Sequence, residues 1–310
     1  MRLDFKLLPY IYALTIIALS IVIAYTTKFG ASVVDGTAPF SNKYVNKILM
    51  YSALYFLVAV PVLIFQGKYK SINKSHFYLK GFVLTAMVGF NSAFSWRDYL
   101  NFPMSTFEEQ RYFFKFLFEI KGLLIQLPVL LILRFWIDKQ VKGLYGICRG
   151  NNHIKAYMWL FLLMMPILIT ISFTPDFLSY YPMGKPWQFG ADTALSSKGL
   201  FGYSIWAHLL TFEIAYISAF FIVEVVYRGA FVIGMGTTIG RSAVLPMVAV
   251  YVAIHFGKPV METISSIFGG FALGVLAYQT KHIWGGVIIH MGIALAIEVI
   301  RLLQYYILGI

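Results

Sequence analysis

Apolar residues in this chain are gathered into long runs, with polar residues collected between them. The runs cover Leu7–Tyr25, Ile48–Phe65, Phe77–Trp96, Tyr112–Trp136, Ala156–Phe173, Ile205–Val232, Ala243–His255, Ile264–Tyr278 and Ile283–Leu308. A helix needs about 20 apolar residues to cross a bilayer, so the pattern predicts an all-α polytopic transmembrane bundle of about 8–9 spans, nine by direct count. The first run follows the charged start Met1–Lys6, as in a signal peptide. It lacks a small-x-small cleavage site and reads as a retained first helix. No repeat, heptad or low-complexity tract interrupts the series.

Composition agrees: 59% of the 310 residues are hydrophobic, 12% are charged, and the mean hydropathy is +0.75. Little of the chain is left for a soluble domain. Lys+Arg number 25 against 13 Asp+Glu, a net charge of +12. Those cations sit in short loops rather than on one basic face, which reads as membrane topology and not as nucleic-acid binding. Residues 66–80 carry Lys68, Lys70, Lys74 and Lys80, and 134–155 carry Arg134, Lys139, Lys142, Arg149 and Lys155. The 97–112 loop has Arg97 and Arg111 beside Asp98, Glu108 and Glu109, and 174–200 has Lys185 and Lys198 balanced by Asp176 and Asp192. The positive-inside rule then places the rich loops and the N-terminus in the cytoplasm and the 174–200 loop outside, against the weaker signal of Lys28, Lys43 and Lys47. A lone cysteine, Cys148, builds neither an intramolecular disulfide nor a thiolate metal site.

Near residue 200 the chain changes character. Before it, polar residues lie mainly at the ends of the runs. After it, Glu, Arg and His enter the runs and glycines become frequent, which divides the chain into an N-terminal helical half, 1–200, and a core, 201–310, that carries chemistry. Glu224 and Arg228 stand four apart, one helical turn on one face. At membrane depth such groups cost several kcal/mol unless paired, and by default they mark function. The plain alternative is a pair that only staples helices. Glu213 lies three turns earlier on the same face. His255 closes its run just before Gly257 and Pro259, so a ring nitrogen can point into a cavity at the helix break. His290 sits within the last run, and for either histidine the alternative is hydrogen-bonded filler. At 1.5 Å per residue, Glu224 lies about 15 Å from Gly234, His255 about 20 Å from Ala243 and His290 about 10 Å from Ile283, all near mid-bilayer. A carboxylate and two imidazoles at one depth have the composition of a water-activating site, or of a metal site in which Glu224, His255 and His290 hold a divalent ion such as Zn. Arg228 would keep the carboxylate ionised.

Val223-Glu224-x-x-x-Arg228-Gly, Tyr251-x-x-x-His255 and His290-x-x-x-Ala294, in this order with the glycine-rich Gly269–Gly274 between, resemble the motifs of the CAAX prenyl protease type II and bacteriocin-processing family, also called the abortive-infection family. The resemblance covers roughly residues 200–300. It implies an intramembrane metalloprotease-like endopeptidase in a bacterial inner membrane, acting on a prenylated or hydrophobic peptide, with Glu224, Arg228, His255 and His290 as its site. Two positions depart. The first glutamate of the family's pair, which activates water there, is Val223 here, and its asparagine or aspartate is Ala294. Either Glu224 takes over the base's role, with Glu298 or Glu213 in support, or the chain is a silent relative that acts as a scaffold or immunity protein. A third reading, a proton- or ion-coupled transporter, lacks the two similar halves such proteins show. On every reading membrane lipid is a partner and nucleic acid is not.

Overall fold

The computed structural model describes residues 7–30, 34–35, 42–101, 106–148, 154–185, 188 and 199–309. Met1–Lys6, Arg149, Asp192 and Lys198, which entered the signal-peptide and loop-charge readings, lie outside the described residues. Among the described residues no strand forms. The helices in chain order are α1 Leu8–Thr26, α2 Lys43–Phe65, α3 Ser75–Ala93, α4 Phe107–Ile132, α5 Ile154–Ile171, α6 Ile205–Glu224, α7 Val244–Ala253, α8 Val260–Thr280 and α9 Trp284–Leu303. Between α6 and α7 the chain continues as a ten-residue π-helix, Val225–Gly234, and two short turns of helix, Met235–Ile239 and Gly240–Ala243.

Local chemistry sets the ends. Pro9 occupies the first turn of α1, where its missing N–H costs nothing. Asn42 caps α2, its side-chain oxygen accepting from the N–H of Tyr44 at 2.9 Å and of Val45 at 3.3 Å. Lys281 closes α8 in the left-handed region at φ +58°. Long apolar side chains such as Trp159, Leu163, Phe268 and Ile307 remain exposed, as side chains facing lipid do.

Among the described residues, six stretches are long and apolar enough to cross a membrane: Leu8–Thr26, Lys43–Phe65, Phe107–Ile137, Ile205–Ala253, Val260–Thr280 and Trp284–Leu308. The chain is a multi-pass membrane protein. The nine runs of the sequence become six for three reasons. Helix α3 carries Ser75, His76, Lys80 and Asn91 and is less apolar, the apolar part of α5 is short, and the runs 205–232 and 243–255 belong to one 49-residue stretch. At 1.5 Å per residue that stretch measures roughly 74 Å, more than twice the hydrocarbon core. Gly240, at φ +64°, turns the chain within it.

The chain forms two compact units, each drawing on both sides of residue 200. The first comprises Met1–Phe94, Pro128–Asn152 and Glu224–Gly286. In it α2 packs along α3 and α7, α7 along α8 and α1, and the π-helix against α8. Close approach explains the glycines: a Cβ at Gly89 on α3 would stand 2.7 Å from the Ile48 backbone of α2. On α8, Gly270 seats Tyr251 and Gly274 seats Met247, with a Cβ at 2.9 and 2.6 Å from those side chains. The glycine-rich Gly269–Gly274 therefore lies inside a helix and gives it a small-residue face. The second unit comprises Ser95–Leu127, His153–Val223 and Val287–Ile310. Its core gathers Tyr112, Leu200, Ile205, Leu209, Phe212, Tyr216 and Ala294, with a smaller group of Phe177, Tyr181 and Ile297.

Candidate functional site

In the first unit, Glu224 ends α6 and Arg228 lies one turn on in the π-helix, the two 0% and 1% exposed. Their spacing yields an ion pair, Arg228 Nη1 to Glu224 Oε1, at 3.0 Å. The guanidinium also lies over the ring of Tyr251 from α7, 4.3 Å from its centroid. Tyr227 meets Tyr251 edge-on at 5.1 Å and stacks on Phe231 at 5.8 Å. Gly286 brings its backbone against the carboxylate, and a Cβ there would collide with Glu224 Oε2.

His255 follows the last turn of α7, where Gly257 at φ +87° and Pro259 stop the helix as the sequence implies. Its ring packs on Tyr251 at 4.8 Å, and its Nδ1 donates to the Tyr251 carbonyl at 2.8 Å. A carbonyl only accepts, so neutral His255 carries its proton on Nδ1 and leaves Nε2 as the basic nitrogen. The break is pinned from outside the helix. Thr263 donates to the His255 carbonyl at 2.8 Å, and the Tyr25 hydroxyl reaches Thr263 and the Lys258 carbonyl, each at 2.6 Å. Glu224, Arg228, Tyr251 and His255 thus form one buried line in which each member touches the next. A carboxylate held by a guanidinium and an imidazole of fixed tautomer are suited to proton transfer.

His290 belongs to the second unit. It is half-buried, its ring tilted against Phe220 at 4.5 Å. One turn further, Ala294 is buried in the aromatic core. Glu298 and Glu213 lie in this unit as well. Both carboxylate oxygens of Glu298 accept from the Met183 N–H, at 2.9 and 3.1 Å, and Glu213 Oε1 rests against Gly184. Among the described residues no three His, Cys, Asp or Glu side chains come together as a metal-holding group.

A second buried charge cluster of the first unit was hidden in the sequence. Lys80, counted above as a loop cation, is an interior residue of α3, where its ammonium pairs with Asp138 Oδ1 at 2.5 Å and donates to the Gly234 carbonyl at 2.7 Å. Both charged side chains are 1% exposed. The Tyr145 hydroxyl donates to Asp138 Oδ2 at 2.7 Å. Burial first, and the Asp138 carboxylate second, hold the Tyr145 phenol well above its ordinary range. The available signal was position: Lys80 lies three residues inside the apolar run that starts at Phe77.

Compared with known proteins, the chain matches no protein-family model, no curated protein and no solved structure.

Proposed function

We propose that the chain is an intramembrane endopeptidase of the CAAX-protease-like kind, with its chemistry in the 201–310 core, acting on a hydrophobic or lipidated peptide. The buried line Glu224–Arg228–Tyr251–His255 carries this reading, because an ion pair and an ordered imidazole are costly in an apolar interior unless they are used. Glu224 takes a proton from water, and the resulting hydroxide attacks the peptide carbonyl carbon. The proton then passes to the departing amine nitrogen as the C–N bond breaks. Arg228 pairs with the carboxylate, and Nε2 of His255 accepts from the attacking water. Nine spans with a cytoplasmic N-terminus and an outside 174–200 loop complete the proposal. Cysteines introduced at Lys70 and Lys185 should then label from opposite faces, and labelling from one face would overturn that topology.

A second reading has its own support. Ala294 is packed into an apolar core where the family's motif has a polar residue, which favours a silent relative that binds without cleaving. Turnover of a farnesylated or hydrophobic peptide in detergent separates the two. The protease reading expects activity in the parent and its loss in Glu224→Gln, His255→Ala and His290→Ala at unchanged expression, with rate losses of several orders of magnitude for the glutamate. An inert parent that Val223→Glu activates would make the chain a silenced relative.

A further inference from the structure

The π-helix Val225–Gly234 is unusually long for an element that mostly occurs as a single turn at functional sites. Its register is legible from what packs on it. A Cβ at Gly229 would stand 2.8 Å from both the Cβ and the carbonyl oxygen of Tyr145, and a Cβ at Gly234 would stand 2.7 Å from Cε1 of the same residue. Both glycines therefore face Tyr145, although they are five residues apart. Five residues make about 1.4 turns of α-helix, which would put the two on different faces. In a π-helix each N–H reaches back five residues, so the same two positions lie about one turn apart and share a face.

Tyr145 is itself held. It is 0% exposed, and its hydroxyl ends on Asp138, which Lys80 neutralises while capping the Gly234 carbonyl. Arg134 donates to the Asp138 carbonyl at 3.2 Å and to that of Gly143 at 2.5 Å, fixing the segment that presents Tyr145. All of these residues belong to the first unit.

We propose that Tyr145, Asp138 and Lys80 form a register clamp. Tyr145, with its Cβ and carbonyl against Gly229 and its ring on Gly234, selects the π-helix, and release of the clamp lets the segment rewind as α-helix. With roughly 80° per residue in the π-helix against about 100° in the α-helix, rewinding would turn Arg228 by roughly 80° about the axis relative to Glu224. That takes the guanidinium off the Tyr251 ring. The three residues are positioning residues for the Glu224–Arg228 pair. The inference does not depend on amide hydrolysis, since the register exists whatever the pair acts on.

Thermal unfolding of the full chain in detergent, with each glycine variant made in the parent and in Tyr145→Ala, tests it. Gly229→Ala, whose methyl group meets the Cβ and the carbonyl of Tyr145 that alanine keeps, is expected to lower the Tm in both backgrounds. Gly234→Ala, whose methyl group meets the ring, is expected to lower the Tm of the parent but to leave it unchanged or raise it in Tyr145→Ala, where alanine only adds helix propensity. The two results together are the signature of the π register; a Gly229→Ala that costs nothing in the parent, or a Gly234→Ala that costs as much in Tyr145→Ala as in the parent, overturns the proposal. Should those variants fail to fold, hydrogen exchange of Lys80→Met and Tyr145→Phe decides. Exchange at 225–234 should rise about ten-fold or more with α2 unchanged, whereas no rise there, or an equal rise in α2, overturns the clamp.

Discussion

The two compact units use their buried polar residues differently. In the first, charges are matched mainly by other side chains: Arg228 by Glu224 and Tyr251, Asp138 by Lys80 and Tyr145. In the second, although Glu298 meets Glu213 and Lys115 meets Gln188, each side chain also holds the backbone of an irregular segment. Glu298 accepts from the Met183 N–H, and Lys115 donates to the Met183 carbonyl at 2.9 Å. Arg301 donates to the Tyr181 carbonyl at 3.2 Å, Gln304 to that of Ser172 at 3.3 Å, and Glu109 accepts from the Phe201 N–H at 2.8 Å. A side chain that satisfies a loop amide replaces the water an irregular backbone cannot reach inside an apolar protein, which is a structural task. A carboxylate paired with a guanidinium satisfies nothing the backbone requires. Its retention points to use, and for that reason the candidate site is assigned to the first unit's line and not to the equally buried Glu298.

Breaking one member of a charge–charge pair is the severest test of this contrast. Arg228→Met leaves the Glu224 carboxylate in an apolar interior and should destabilise the protein by about 3–5 kcal/mol, with the double variant Glu224→Leu/Arg228→Met recovering most of the loss. Chemical unfolding in detergent measures both, and a double variant as unstable as the single one would show that the pair does more than compensate itself. A smaller loss, about 1–3 kcal/mol, is expected for Gly286→Ala, whose methyl group collides with Glu224 Oε2. Glu224→Ala in the same chain should relieve it.

In the second unit, Glu298→Ala removes the acceptor for the backbone N–H groups of Met183 and Gly184 and should cost about 1–3 kcal/mol. Glu298→Gln, which keeps an acceptor oxygen, should cost less. Limited proteolysis reads where the damage falls: cleavage concentrated at 178–185 fits a staple, and damage spread through the second unit would contradict it.

The smallest effect at neutral pH belongs to Tyr145. Its phenol is held above the ordinary tyrosine value of 10.0, so the folded state binds the proton more tightly than the unfolded chain. The stabilisation this gives is complete below pH 10.0 and declines as pH rises from there toward the folded-state value. Unfolding followed across that window should show a steeper decline for the parent than for Tyr145→Phe, and parallel curves would remove Tyr145 from the buried network.

Much of the architecture could be read from local pattern. Hydropathy alone located the longer described helices, because an apolar helix satisfies its own backbone bonds wherever its neighbours lie, but it did not fix the number of crossings: six described stretches are long and apolar enough to span a membrane. The pairing of Glu224 with Arg228 followed from one turn of helix, and the stop after His255 from Gly257 and Pro259, since both depend on residues a few positions apart. Packing decided the rest. Nothing local joins Lys80 to Asp138 across 58 positions, and their burial turned a residue read as a loop cation into half of an interior ion pair. The π register of Val225–Gly234 depends on Tyr145, which comes 80 residues or more before it along the chain. Whether Glu298 meets a charge or a loop amide was likewise outside the reach of periodicity, which assigns a side chain to a face but not to the partner that tertiary packing brings against it.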